Sequence, residues 1–137
     1  MIDPLLNKIV RPPLALLAKP FVYLGISADQ ITIAGFIIGM LAVPAIINDY
    51  FTVALVLILI NRFCDGLDGA IARQTKTTDA GGFLDISLDF IFYSAIVFAF
   101  IVSHPEQNAI AGSLLMLSFT ATGSCFLAFA SLSTLPN

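Results

Sequence analysis

The feature that most constrains this chain is a series of long apolar stretches, each close to the length that crosses a bilayer. About 20 apolar residues span a membrane as a helix, and candidates occur at roughly 31–47, 51–73, 82–102 and 109–131. The chain is 58% hydrophobic and 11% charged, whereas soluble domains carry about 25% charged residues. We therefore predict an all-α integral membrane protein, a transmembrane bundle of four spanning helices that forms one domain over residues 1–137.

Short local patterns refine the first span. Ser27, followed three residues later by Gln30, predicts a capping box at the start of a helix. The motif GFIIG, from Gly35 to Gly39, predicts close packing against another helix. Before this span, the first 25 residues mix leucines with three cations, which is typical of a helix lying in the membrane interface.

The basic residues predict an orientation. Five of the six Lys and Arg residues fall on one side of the four-helix scheme: Lys8, Arg11, Lys19, Arg73 and Lys76. The two turns on the other side contain none. By the positive-inside rule, the side with the cations faces the cytoplasm. Because no basic tract is present, we expect no nucleic-acid partner.

Five of the nine acidic residues lie between residues 61 and 90, in the segment NRFCDGLDGAIARQTKTTDAGGFLDISLDF. Carboxylates beside lipid-facing sequence are costly unless cations compensate them. If the second and third spans form an antiparallel hairpin, Asp68 and Asp85 lie ~6–8 Å below the loop QTKTTDAG, and Asp65 and Asp89 lie ~12 Å below it. The four carboxylates should therefore meet at matching depths.

This carboxylate cluster predicts a metal centre, with two ions as the expected number. The i,i+3 and i,i+4 spacings place each pair on one helix face. Cys64 and Cys125 match no metal-binding spacing, and an oxygen-only ligand set suits Mg²⁺ or Mn²⁺. Arg62, one turn before Asp65, either neutralises part of the cluster or makes no contact with it; the spacing leaves both open.

At these residues the chain resembles the CDP-alcohol phosphotransferase (CDP-alcohol phosphatidyltransferase) family, integral membrane enzymes of phospholipid synthesis. The family pattern is D-x2-D-G-x2-A-R, a spacer, and G-x3-D-x3-D. The chain matches it over about 25 residues with eight identities: Asp65, Asp68, Gly69, Ala72, Arg73, Gly81, Asp85 and Asp89. The N-terminal segment and the ISADQIT entry to the first span are also similar to the family.

The resemblance implies a reaction. A phosphatidyl group passes from a CDP-linked lipid, with CDP-diacylglycerol as the expected donor, to an alcohol acceptor, and CMP is released. It also implies membrane lipid as the surroundings, a bacterial inner membrane as the location, and an active site facing the cytoplasm. A homodimer is left open.

The resemblance further implies roles for the four aspartates. Asp65, Asp68 and Asp85 would hold one Mg²⁺ or Mn²⁺ ion, and Asp65, Asp85 and Asp89 would hold the other. Asp89 would also be the general base that takes the proton of the alcohol.

The resemblance implies a CDP-binding set as well. Gly69, Arg73, Gly81 and, by its place in the loop, Thr78 would contact the substrate. Arg73 has an alternative reading as a plain cationic anchor at the membrane surface.

Two departures from the family and two alternative functions bear on these expectations. The spacer between Arg73 and Gly81 holds seven residues, where the family commonly has about eight, so the loop is tighter. The family typically has six spans and this chain has four candidates, so we expect a C-terminally incomplete chain.

A non-catalytic membrane scaffold related to the enzyme is one alternative function. An ion transporter is the other, since acids within spans mark ion paths.

Overall fold

The computed structural model describes residues 3–133, with side chains placed for residues 10–129 and 131. The described part of the chain is helical and contains no strand. Its six helices are α1 (Asp3–Tyr23), α2 (Ala28–Met40), α3 (Ala42–Ile47), α4 (Phe51–Gln74), α5 (Asp79–Ser103) and α6 (Pro105–Ser133). The predicted all-α class is confirmed.

Three segments among the described residues are long and apolar enough to cross a membrane: Ala28–Ile47, Asp79–Ser103 and Pro105–Phe129. The helix α4 is 24 residues long and is not one of the three. From its middle onwards it carries four charged residues, Arg62, Asp65, Asp68 and Arg73. The fourth span and the interfacial placement of α1 therefore stay predictions.

The first span is not one helix, contrary to the prediction. It breaks at Leu41, between α2 and α3, and the cause lies three residues further on in Pro44. A proline within a helix has no N–H to donate and its ring clashes with the carbonyl four residues earlier, here that of Met40. The N–H of Leu41 turns instead to the carbonyl of Ile38, at 3.2 Å.

Two of the predicted turns are shorter than expected. The loop after α4 is reduced to residues 75–78, because Thr78 caps α5 by accepting a hydrogen bond from the N–H of Gly81 at 3.0 Å. The turn after α5 is reduced to His104, because Pro105 already begins α6. Proline suits the first helical position, where its missing N–H has no partner to lose.

The predicted capping box and the GFIIG packing signal are both confirmed. Ser27 Oγ accepts from the N–H of Gln30 at 3.3 Å, and Gln30 Oε1 accepts from the N–H of Ser27 at 3.0 Å. A Cβ placed on Gly35 would lie 2.5 Å from the Cβ of Cys64. The absence of side chains at this contact therefore allows α2 to approach α4 closely.

The packing of α4 and α5 differs from the expected hairpin. The two helices run antiparallel, but their backbones hardly approach each other among the described residues. Instead α2 and α3 pack against both of them, and α1 packs against α4. The gap left between α4 and α5 on the α2 side contains the acidic residues, so the site lies in a cleft between helices that are held by a third one.

Two small apolar cores hold this arrangement together. One lies at the α3 end, around Ala42, Ile46, Ala54 and Ala99. The other lies between α1 and the second half of α4, around Ala18, Leu67, Ala70 and Ile71. Alanine makes up most of the first core and half of the second, which permits short distances between helix axes. The second core places α1 directly behind the acidic face of α4.

Candidate active site

Three of the four predicted metal ligands converge. Asp65, Asp68 and Asp85 each present a carboxylate oxygen, and these oxygens lie within 4.8 Å of one another. Asp65 and Asp68 come from one face of α4, as the i,i+3 spacing predicts, and Asp85 comes from the first half of α5. Three anions at this separation repel one another strongly in a partly desolvated site.

Asp68 is the most deeply placed of the three. It is only 4% exposed, and its Oδ2 accepts a hydrogen bond from the Thr32 hydroxyl of α2 at 2.5 Å. Among the described residues, no cationic side chain forms an ion pair with Asp68 or Asp85. Buried carboxylates are normally paired with a cation or bound to a metal. Asp68 and Asp85 are therefore suited to binding a cation together with Asp65.

The fourth aspartate has a different environment. Asp89 Oδ1 accepts from Arg62 Nη2 at 2.6 Å, and Asp89 Oδ2 accepts from the hydroxyl of Tyr93 at 2.9 Å. Arg62 Nη1 reaches the same Oδ2 at 3.5 Å and also lies 3.7 Å from Asp65 Oδ2. Of the two readings that the sequence left open for Arg62, contact with the cluster is confirmed. Its main partner, however, is Asp89 rather than Asp65.

Two cavities meet at the trio. A small one, of about 10 Å³, lies among all four aspartates and is also lined by Asn61. That volume holds roughly one water-sized sphere, which is the scale of a single ion. A larger cleft of about 140 Å³ opens beside it towards the α4–α5 loop. Asp68 and Asp85 line both cavities, so an ion held by them would face whatever occupies the cleft.

The predicted substrate-binding residues lie around this larger cleft. Gly69, Thr78 and Gly81 line it, together with Asp29 at the start of α2. Arg73 is not among the lining residues, but its guanidinium folds back over Gly69, where an added Cβ would lie 3.2 Å from Nη1. The predicted substrate-binding residues thus lie together at one end of the bundle. The Thr78 hydroxyl, however, already accepts the hydrogen bond that caps α5.

Three polar residues of the site were not foreseen from the sequence. Thr32 and Asn61 carry no pattern that distinguishes them from ordinary polar residues in a span. Tyr93 lies four residues after Asp89, a helical spacing that puts the two on one face, so this partner could have been found. The contacts of Arg62 with α5 depend on tertiary structure and have no local signal.

A comparison with protein-family models decides the family. The family model for CDP-alcohol phosphatidyltransferase matches residues 25–136. The chain belongs to this family. Its members are transferases of phospholipid biosynthesis. Every residue of the motif that carries the family resemblance, except Arg73, lines one of the two cavities.

Curated relatives support the assignment. The inner membrane protein YnjF of Escherichia coli is 54% identical over 131 residues, which cover 96% of this chain and 60% of that protein. An archaetidylinositol phosphate synthase of Pyrococcus horikoshii is 38% identical over 90 residues, 65% of this chain and 48% of that protein. A bifunctional IPC transferase and DIPP synthase of Aquifex aeolicus is 38% identical over 85 residues, 57% of this chain and 19% of that protein. The chain thus spans 60% or less of the length of these relatives. No solved structure gives a significant match.

Proposed function

We propose that the protein transfers a phosphatidyl group from a CDP-linked lipid, CDP-diacylglycerol, to an alcohol, with release of CMP. The observation that carries this proposal is the convergence of three carboxylate oxygens within 4.8 Å at the wall of a cleft that has room for a ligand. The family membership supplies the reaction class. An ion-sized cavity next to a polar cleft is the arrangement expected for a metal-assisted transfer of a phosphoryl group.

The ligand set fits Mg²⁺ or Mn²⁺. Asp65, Asp68 and Asp85 would hold one ion, and Asp89 would join Asp65 and Asp85 for a second. When bound, such ions stabilise the negative charge that develops on a pyrophosphate as it is cleaved. The oxygen-only chemistry of the trio supports this assignment. So does the finding that, in the described part of the chain, no cationic side chain forms an ion pair with Asp68 or Asp85.

The protein's own residues then divide the remaining work. Asp89 takes the proton of the acceptor hydroxyl on a carboxylate oxygen while the alcohol oxygen forms a bond to the β-phosphorus. The bond from that phosphorus to the bridging oxygen breaks, and CMP leaves with the electron pair. Gly69 gives the CDP group close access to the backbone of α4, and Arg73 donates to phosphate oxygens. Gly81 forms the opposite wall, with Thr78 beside it.

We also propose a placement in the membrane. The helix α4 crosses as a fourth span with its charges turned to the cleft, α1 lies in the interface, and the cleft opens to the cytoplasm. The exposed cations Arg11, Lys19, Arg73 and Lys76 support this, since they stand on the same side of the proposed spans as the cleft. Labelling of single cysteines placed in the 75–78 loop or at residue 49, from either side of intact inner membranes, tests the orientation.

The acceptor is proposed to be an uncharged alcohol. A phosphorylated acceptor needs a basic pocket to bind its charge, and Lys76 is the one cation among the described residues that line the cleft. Full-length protein reconstituted with CDP-diacylglycerol should release CMP with uncharged alcohols and much less with their phosphate esters. The reverse preference would overturn this part of the proposal.

The same assay tests the function itself. Metal-dependent CMP release that requires an added alcohol supports the transferase. If no CDP-linked lipid yields CMP with any alcohol, while the protein still binds partners in the membrane, the related scaffold is the better description. Ion flux into vesicles without CMP release would favour the transporter.

A further inference from the structure

We propose that Arg62 is a resident counter-ion which occupies the position of the second divalent ion and holds Asp89 away from the metal centre. Filling of the centre is then sequential: the trio of Asp65, Asp68 and Asp85 binds first, and the second ion must compete with the guanidinium. The inference rests on the proposed metal centre and adds to it a residue that sets the affinity of one ion but not of the other.

The geometry at Asp89 carries the first step. Both of its oxygens are engaged, Oδ1 by Arg62 Nη2 at 2.6 Å and Oδ2 by the Tyr93 hydroxyl at 2.9 Å, with Arg62 Nη1 3.5 Å from the same Oδ2. A two-pronged arginine–carboxylate contact is among the stronger side-chain pairs. Since Nη1 also lies 3.7 Å from Asp65 Oδ2, the guanidinium stands between the two carboxylates that a second ion would join.

Several neighbouring side chains hold the Arg62 guanidinium in this position. Asn61 Oδ1 accepts from Nε at 3.0 Å and from Nη2 at 2.6 Å. Asn61 is itself 5% exposed and donates to the carbonyl of Gly35 on α2 at 3.0 Å. The rings of Phe92 and Tyr93 lie 5.3 and 5.0 Å from the guanidinium carbon, within the range of cation–π attraction.

The contrast with the trio gives the order of filling. Among the described residues, no cationic side chain forms an ion pair with Asp68 or Asp85, and Asp65 has only the longer 3.7 Å contact with Arg62, so the first ion meets carboxylates without a close protein cation. Asp89 already has one, so the second ion must overcome both an existing ion pair and repulsion by the guanidinium. Arg62 is thus a positioning residue that acts through Asp89, and it keeps that carboxylate engaged while the centre is only partly filled.

The test is a Mn²⁺ titration of the purified full-length protein in detergent, with free Mn²⁺ measured by electron paramagnetic resonance. The wild type should show one tight and one weak ion. In Arg62→Gln the weak ion should bind about tenfold more tightly or better, because one facing positive charge is removed, while the tight ion is unchanged. Arg11→Gln is the matched control, since it removes the same charge from an exposed position on α1, and it should leave both ions as in the wild type.

Two further variants keep the test decisive if Arg62→Gln does not fold. The Tyr93 hydroxyl accepts from Arg62 Nη1 at 2.6 Å and donates to Asp89 Oδ2 at 2.9 Å. Tyr93→Phe keeps the ring but removes this hydroxyl, so the weak ion should tighten by a smaller factor. Arg62→Lys keeps the charge and should leave the weak ion weak. If these variants shift both ions equally, or if loss of charge at residue 62 weakens the second ion, the inference is overturned while the metal centre stands. If the wild type binds no Mn²⁺ at all, the metal centre itself fails and the inference with it.

Discussion

The two ends of α4 and α5 are built from the same helices but differ in what fills the space between them. At the α3 end, Ala42, Ile46 and Ala99 form an apolar core, and the rings of Phe51 and Phe100 stack at 6.1 Å. At the α2 end, the corresponding space contains carboxylates, a guanidinium and two cavities. Apolar contact holds the first end, whereas hydrogen bonds and uncompensated charge define the second.

The difference shows how this fold separates stability from chemistry. The only buried polar or charged residues among those described, Asn61 and Asp68, both belong to the cleft end. Their partners come from α2, through the carbonyl of Gly35 and the hydroxyl of Thr32. Changes at the cleft end should therefore affect ions and turnover first, and changes at the α3 end should affect stability first.

The largest expected effect comes from removing the metal. Exhaustive treatment with EDTA should abolish CMP release, and Mg²⁺ or Mn²⁺ should restore it, because the trio would otherwise present uncompensated anions to a substrate phosphate. The helical content, measured by circular dichroism, should hardly change, since the core at the α3 end is apolar. Full turnover in EDTA would contradict the metal centre.

The next effect separates base from ligand at the cleft end. Asp89→Asn keeps a carbonyl oxygen but cannot accept the alcohol proton, so kcat should fall by about 10²–10⁴-fold with little change in CDP-lipid binding. Asp65→Ala should instead weaken metal and CDP-lipid binding together. Asp49→Asn, the same type of change at the far end, should leave kcat unaltered. Rates and nucleotide binding are measured on all three; an Asp89→Asn enzyme that keeps most of its rate would exclude the base role.

A smaller effect tests the helix that joins the two ends. Gly35→Ala brings a Cβ to 2.5 Å from the Cβ of Cys64, so α2 must move away from α4, at a cost of about 1–3 kcal/mol. The matched control is Gly82→Ala, whose Cβ meets nothing within 4 Å and which should leave stability nearly unchanged. Thermal unfolding in detergent compares the two. Equal midpoints would mean that the close approach of α2 contributes little.

The smallest expected effect comes from changing Asp49, in the turn between α3 and α4 at the α3 end. Asp49 adopts φ 61°, a left-handed conformation that side chains other than Asn and Asp rarely accept. Asp49→Ala should lower stability by about 1 kcal/mol and Asp49→Gly by less, because glycine adopts this conformation freely. Neither should alter CMP release. A loss of activity in Asp49→Gly would show that the two ends are coupled.

The sequence was informative where the signal is local. The capping box of Ser27 and Gln30 and the packing surface of Gly35 and Gly39 could be read directly, since each depends on residues within one or two turns. The break at Leu41 depends on the backbone chemistry of Pro44, whereas the length of the apolar run predicts one continuous helix.

What could not be read was the arrangement between helices. The equal distances of the aspartates from the α4–α5 loop correctly predict that Asp65, Asp68 and Asp85 lie together. These distances do not show which third helix packs against α4 and α5. The insertion of α2, and with it the Thr32 contact to Asp68, is a result of tertiary packing. Arg62 prefers Asp89 on α5 to Asp65, which is only three residues away in the sequence. This preference also results from tertiary packing, since it depends on the rotation of α5 about its own axis.

The lack of direct backbone packing between α4 and α5 has a mechanical consequence. Where two helices interlock, the distance between groups on them is fixed to within a few tenths of an ångström. Here that distance is set by contacts of each helix with α2 and α3 and by side-chain contacts such as the Arg62–Asp89 ion pair, so the ligands of α4 and α5 can adjust to one another along the direction that joins them. Such a compliant pair should accept ions of unequal radius, and Mn²⁺ should replace Mg²⁺ with a modest loss of rate, whereas Ca²⁺ should bind without supporting turnover.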